Sequence, residues 1–364
     1  MLCGIFFSGI SDDNSHRGVA WRVLLGYLPA EVKRWEGHLF RERTLYKEFV
    51  EELFVSNSSR IEKEASKCNS SINKSPSKEL LDIFEQCGRD GLLQELNSDD
   101  ALNTLVIPSS HTNKEALMEY VDNATLLDEI RKDVMRTHPG LNFYLETQGD
   151  LGKRRYAALE RILFVWSRLN QGVRYVQGMN EIIGTIFFVL ANDAHREWSI
   201  HAEPDAYHLF NIIMVQMRDV YMSEMDETET GLHNRILSMM RLLSQHDPVL
   251  ASHFNKMELN GSYFAVRWLT TLLGREFSLP ETVRLWDSLF ASTDMGNFLK
   301  YFCSTMLMAI RNDLVRYFCI GLRRKCFNTL TFNLTQNIVA IGFRKFFETS
   351  SELPSRQSSG YVAQ

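Results

Sequence analysis

The run Leu159-Glu160-Arg161-Ile162-Leu163-Phe164-Val165-Trp166-Ser167-Arg168-Leu169 decides the fold class. Leu159, Ile162, Leu163, Trp166 and Leu169 recur at spacings of three and four, which places them on one face of an amphipathic helix. Asn170-Gln171-Gly172 supplies the stop. The next apolar block, Met179 to Ala191, is more continuous, and periodicity alone does not separate a buried helix from a strand. Its length favours the helix. Outward from these two blocks, only 8 prolines and 20 glycines interrupt the 364 residues, and the apolar spacing between them is mostly of the same kind. The expected fold is all-α.

Composition excludes several classes of protein. A hydrophobic fraction of 45% can build a sizeable core, so a disordered or fibrous chain is ruled out. The formal charge of -5 gives no general attraction for nucleic acid or acidic lipid, and no nucleic-acid partner is expected. The six cysteines (Cys3, Cys68, Cys87, Cys303, Cys319, Cys326) are scattered without C-x-x-C spacing and suit a reducing cytosol. A membrane span needs about 20 apolar residues, and the best run, Ile182 to Ala191, is far shorter. Met1 to Ile10 makes a poor signal peptide, with no leading basic residue and Asp12 and Asp13 close behind. The N-x-S/T triplets at Asn57, Asn69, Asn123, Asn260 and Asn333 then count as chance matches. Residues 55–79, rich in Ser, Asn and Lys, are expected to form a solvated loop, and 346–364 a disordered tail. No internal repeat is visible.

The chemistry of a self-contained hydrolase is hard to find. Gly152-Lys153 is followed by Arg154 and lacks the first glycine of a phosphate-binding loop. Neither H-E-x-x-H nor G-x-S-x-G occurs, no two histidines stand at i, i+4, and His195, His201 and His208, with no thiol near them, read as surface or core histidines. No metal or cofactor of its own is expected.

Three polar segments remain. In Ile130-Arg131-Lys132-Asp133-Val134-Met135-Arg136-Thr137-His138-Pro139, the proline tends to end a helix just after Arg136. Leu126, Leu127, Ile130 and Val134 form its apolar face, and Arg136 lies roughly 135° from the centre of that face, free for solvent or a partner. The plain alternative is a helix-end arginine complementing the macrodipole and pairing with Asp133 at i, i+3. In Gly172-Val173-Arg174-Tyr175-Val176-Gln177-Gly178-Met179-Asn180-Glu181, a glutamine sits on a connection between two hydrophobic helices. Its amide both donates and accepts, which suits it to orient a water, and equally to satisfy loop backbone. The third segment, Phe264 to Leu269 with Arg275 to Pro280 and Arg284 to Asp287, is first a packing signal, with Trp268, Phe277 and Trp286 assigned to the core.

In this order the segments resemble the TBC domain family of Rab GTPase-activating proteins. Arg17-Gly18, Trp21 and Leu24-Leu25-Gly26-Tyr27-Leu28-Pro29 look like its opening helix. Ile130, Asp133 and Arg136 match its I-x-x-D-x-x-R, and Tyr175 and Gln177 its Y-x-Q. Pro204-Asp205-Ala206-Tyr207 and the third segment match later signatures, so the likeness runs from about Ser8 to Arg311 and is faint after Asn312. Tyr175 to Ile182 and Trp286 to Ala291 look most like the member-thirteen branch.

The resemblance implies a two-lobed, V-shaped helical domain over 8–345, with an N-terminal lobe to about residue 205 and a C-terminal lobe over about 206–345. It implies a GTPase activator for a Rab-family small GTPase in its GTP state, with no nucleotide hydrolysis of its own. Arg136 and Gln177 would act in trans, Asp133 and Tyr175 would brace them, and Thr137 would lend further support. GTP and magnesium would belong to the Rab. The setting implied is vesicle trafficking, with a cytoplasmic protein recruited transiently to endomembranes and touching them only through its Rab; Arg323-Arg324-Lys325 reads as a solvated helix turn. A catalytically silent Rab-binding effector or scaffold is the alternative.

Overall fold

The computed structural model describes residues 10, 16–56, 114–145, 150–222, 225, 228 and 230–318. The Ser/Asn/Lys-rich segment beyond Ser56, Arg323-Arg324-Lys325 and the tail lie outside the described residues. In chain order the helices are α1 (Arg17–Leu24), α2 (Trp35–Val50), α3 (Lys114–Val134), α4 (Asp150–Leu169), α5 (Met179–Ala191), α6 (Ala202–Tyr221), α7 (Leu232–His246), α8 (Pro248–Lys256), α9 (Ser262–Thr270), α10 (Leu279–Ala291), α11 (Met295–Ala309) and α12 (Arg311–Phe318). Short helical turns occupy Val32–Arg34, Glu51–Ser56 and Arg196–Ser199, and no strand occurs among the described residues. The all-α expectation holds. No helix among them is long and apolar enough to cross a membrane.

Two compact units divide the chain, the first running to Met222 and taking back Val283–Thr293, the second holding Ser223–Thr282 and resuming at Asp294. In the first unit, α4, α5 and α6 form the core, with α2 against α6 and α3 against α4 and α5. α5 packs along α6, with Ile182, Ile183, Ile186 and Leu190 of the one and Leu209, Phe210 and Ile213 of the other all fully buried. Each such side chain contributes about 1.5–3 kcal/mol on leaving water. The ambiguous block Met179 to Ala191 is therefore a helix, and its near-continuous apolarity reflects enclosure by neighbours.

The same enclosure changes the reading of α4. From Ala157 to Ser167 every residue is buried, not one face only, and Leu169, placed on the apolar face by spacing, is 45% exposed at the helix end. Burying the polar face requires partners: Arg161 donates through Nε and Nη2 to the two carboxylate oxygens of Glu203, at 2.7 and 2.6 Å. Two further carboxylates tie distant segments of this unit together. Asp287 accepts from Trp21 Nε1 at 2.8 Å and Arg17 Nε at 3.1 Å. Asp205 accepts from Arg22, Arg43 and Tyr27.

In the second unit, α7 packs along α11 with Ile236, Met239 and Leu243 buried on one side and Phe302, Cys303 and Met306 on the other. Asp247 and Asp294 cap α8 and α11 by accepting from the N–H groups of Leu250 and Asn297, both at 2.9 Å. Trp268 and Phe277 lie buried here and Trp286 in the first unit, as the packing signal implied. His208, in the first unit, is stacked on Tyr27 and bonded to the Glu42 carbonyl, a packed histidine.

Candidate functional site

The end of α3 and the start of α5 meet in the first unit. α3 ends at Val134, two residues before the end the sequence suggested, because the Asp133 carbonyl draws Arg136 N–H into an i to i+3 bond at 3.2 Å. Arg136 thereby leaves the helix and its side chain stands 62% exposed, while that of Asp133 is only 6% exposed. Asp133 Oδ1 accepts from Arg136 Nε at 3.1 Å and also from Nη2. Hydrogen bonding to Asp133, and then its charge, hold the guanidinium still more firmly protonated than usual.

Asp133 Oδ2 accepts from the hydroxyl of Tyr175 at 2.7 Å. Burial first, then this hydrogen bond, push the Tyr175 phenol well above its ordinary range, so it remains a neutral donor. Tyr175 belongs to the connection that begins where the Asn170 backbone and side-chain amides both bond to the Trp166 carbonyl, at 2.9 and 2.8 Å, and close α4. The chain then turns through Arg174 at φ 59° and Gly178 at φ 111° into α5. A side chain at the Gly178 position would be strained, which accounts for glycine directly after Gln177. Gln177 itself is exposed and its side chain bonds to no described residue.

Asn180, in the first turn of α5, sits between the two segments at 3% exposure. Its Nδ2 donates to the Asp133 carbonyl at 3.2 Å and to Thr137 Oγ1 at 2.9 Å. Its Oδ1 accepts from Gly178 N–H at 3.1 Å and faces the Tyr175 hydroxyl at 3.3 Å. Thr137, fully buried, returns a bond from Oγ1 to the Asp133 carbonyl at 3.1 Å. Close approach here requires Gly184, since a Cβ on it would stand 2.5 Å from Thr137 Cγ2. Beside Thr137, burial pushes the His138 imidazole down to about 4, leaving it neutral at ordinary pH.

A family description, the Rab-GTPase-TBC domain, matches residues 95–315, which contain every one of these groups. The chain belongs to the Rab-GTPase-TBC domain family. TBC1 domain family member 13 of Homo sapiens is 29% identical over 344 residues, covering 85% of this chain and 84% of that protein, and its Mus musculus counterpart matches equally. The GTPase-activating protein GYP1 of Saccharomyces cerevisiae is 23% identical over 296 residues, covering 76% of this chain and 35% of that one. The crystal structure of the Ypt/Rab-GAP domain of Gyp1p superposes with a TM-score of 0.65 at 19% identity, covering 96% of this chain and 92% of the other, a likeness of fold.

Within the TBC domain, four of the five residues singled out by sequence form one hydrogen-bonded group: Arg136, Asp133, Tyr175 and Thr137. Gln177 makes no hydrogen bond to it; the N–H of the next residue, Gly178, donates to Asn180 Oδ1 at 3.1 Å. Sequence reasoning assigned nothing to Asn180. The available signal was an amide in the first turn of a helix otherwise apolar enough to be buried.

Proposed function

We propose that this protein stimulates GTP hydrolysis on a Rab-family GTPase by presenting Arg136 and Gln177 to the nucleotide bound by the partner. Membership of the TBC family supports a Rab GTPase-activating role; the two residues and their division of labour are our reading. A small GTPase is slow because negative charge builds on the transferring phosphoryl group and the attacking water is poorly held. A guanidinium offers five N–H donors, and Asp133 uses only those on one edge of Arg136, so the others remain for phosphate oxygens. Gln177 has a free carboxamide that can accept from the water and donate to an oxygen of the phosphoryl group. The carrying observation is the pairing of a buried carboxylate with an exposed guanidinium on the same framework that seats the Gln177 loop.

In this reading Asp133, Tyr175 and Thr137 hold position and do not react. GTP and magnesium are the Rab's, the Rab is bound in its GTP state, and the protein contributes no cofactor. Its setting is the cytoplasmic face of vesicles or endomembranes, reached through the Rab. A silent effector would use the same surface without accelerating anything, and the exposed Arg136 and Gln177 favour catalysis over it. Single-turnover hydrolysis on a panel of GTP-loaded Rabs, with and without the protein, decides between them. On a responsive Rab whose own switch glutamine is replaced by alanine, the wild-type protein is expected to keep stimulating and Gln177→Ala to fail. A Gln177→Ala protein that keeps its maximal rate and only binds more weakly removes Gln177 from catalysis.

A further inference from the structure

The geometry points to Asn180 as the positioning residue that couples the two catalytic groups, an inference that rests on the function proposed above. Its carboxamide has two donors and two acceptor sites, and the four are directed at partners on both sides of the site: Asp133 O and Thr137 Oγ1 on the α3 side, Gly178 N–H and Tyr175 OH on the loop side. The orientation of the amide is fixed by its neighbours. Gly178 N–H can only donate and Asp133 C=O can only accept, so oxygen must face the first and nitrogen the second.

Each end of this bridge controls one catalytic group. The Asp133 carbonyl that receives Asn180 also receives the backbone N–H of Arg136, so the bridge holds the turn from which the guanidinium projects. On the other side, the Gly178 nitrogen belongs to the peptide plane that begins at Gln177. Because that plane is rigid, anchoring its N–H sets the direction in which Gln177 leaves the loop. Tyr175 strengthens the link by bonding Asp133 while lying against Asn180 Oδ1. Asn180 is buried and touches no partner itself, so it acts through Arg136 and Gln177.

Two substitutions separate the ends. Asn180→Ala removes both. Asn180→Asp keeps volume and the acceptor toward Gly178, but turns an oxygen toward the Asp133 carbonyl and so releases only the Arg136 side. In single-turnover hydrolysis at saturating protein, Asn180→Ala is expected to lower the maximal rate roughly 10- to 100-fold with Rab affinity within about threefold, the scale of a buried hydrogen-bond group left unpaired. Asn180→Asp should lower it in the wild-type background and leave it nearly unchanged once Arg136 is Lys. Equal losses from Asn180→Ala in the wild-type, Arg136→Lys and Gln177→Ala backgrounds would show a general structural role and overturn the coupling. So would an unaltered rate.

Amide hydrogen exchange on the free protein tests the bridge without any Rab. Asn180→Ala should speed exchange about tenfold or more at Gly178 and at Arg136–Thr137 together, with the core of α4 unchanged. Unchanged exchange at either place overturns the bridge. If exchange responds as expected while no Rab is stimulated by the wild-type protein, the proposed function fails and the bridge stands as a structural coupling only.

Discussion

Asp205 and Asp133 each set a buried carboxylate against arginine, but Asp205 encloses its cations and Asp133 leaves its one guanidinium mostly in solvent. At Asp205, Arg22 Nε donates at 3.0 Å, Arg43 Nε and Nη2 at 2.8 Å each, and Tyr27 OH at 3.1 Å. The Arg22 side chain is wholly buried, with its guanidinium carbon 4.8 Å from the ring centre of Trp198. Burial alone would push the Asp205 carboxyl up, but the hydrogen bonds from Arg43 and the charges of Arg22 and Arg43 outweigh it and hold the carboxyl below its ordinary value. At Asp133, one neutral phenol and one arginine edge suffice, and the rest of the guanidinium is unused. The same ion-pair chemistry thus fixes α1, α2 and α6 together in one place and presents a cation in the other.

The exposed arginine is where the two clusters differ most in function. Arg136→Lys and Arg136→Ala are expected to lose most of the stimulated rate, of the order of 10³-fold or more, because a lysine cannot bond Asp133 along one edge and phosphate along the other. Thermal stability should hardly change, since the side chain buries little. Full stimulation by the lysine variant on an otherwise responsive Rab would sink the assignment. Next in size is Asp205→Asn, which strips the charge from the enclosed pair and leaves two guanidinium groups short of a counter-ion. A loss of about 3–5 kcal/mol of stability is expected, read by denaturant unfolding, with the rate per folded molecule retained. A variant as stable as the wild type would mean that Arg22 and Arg43 find other partners.

The difference between the two clusters also marks what the sequence could disclose. Apolar spacing identified α4 and the length of Met179 to Ala191 identified α5, because helix periodicity is a local property. Arg136 and Gln177 stood out through the resemblance to the TBC motifs I-x-x-D-x-x-R and Y-x-Q; spacing alone left a helix-end ion pair and a loop amide as the plain readings. Asn180 and the role of Asp205 were not legible. Asn180 reaches Thr137 across 43 residues, and Asp205 reaches Arg22 across 183, so their partners are set by packing that no local pattern records. The burial of Glu160 escaped for a related reason: it lies outside the apolar set Leu159, Ile162, Leu163, Trp166 and Leu169, and it is buried because α3, α5 and α6 all pack against α4.

Glu160 supplies the smallest expected effect and a third kind of carboxylate, buried without a hydrogen bond to Oε2. Burial pushes its carboxyl from 4.5 up to about 7, against the pull of Arg131 and Arg161. The folded protein therefore binds a proton that the unfolded chain releases between about pH 4.5 and 7, and stability falls as pH rises through that window. His138 works in the opposite sense: burial lowers it from 6.5 to about 4, so its contribution is complete above pH 6.5 and is lost as pH falls below it. Between pH 6.5 and 4.5 the two slopes oppose each other in the wild type, which hides both. Subtracting the wild-type stability from that of Glu160→Gln cancels His138 and every other titrating group. The glutamine variant is expected to be more stable by about 1–3 kcal/mol at pH 8, with the advantage shrinking toward zero by pH 5. A difference that stays flat across this range would mean that Arg131 holds Glu160 ionised in the fold, making it a paired carboxylate of the Asp205 type.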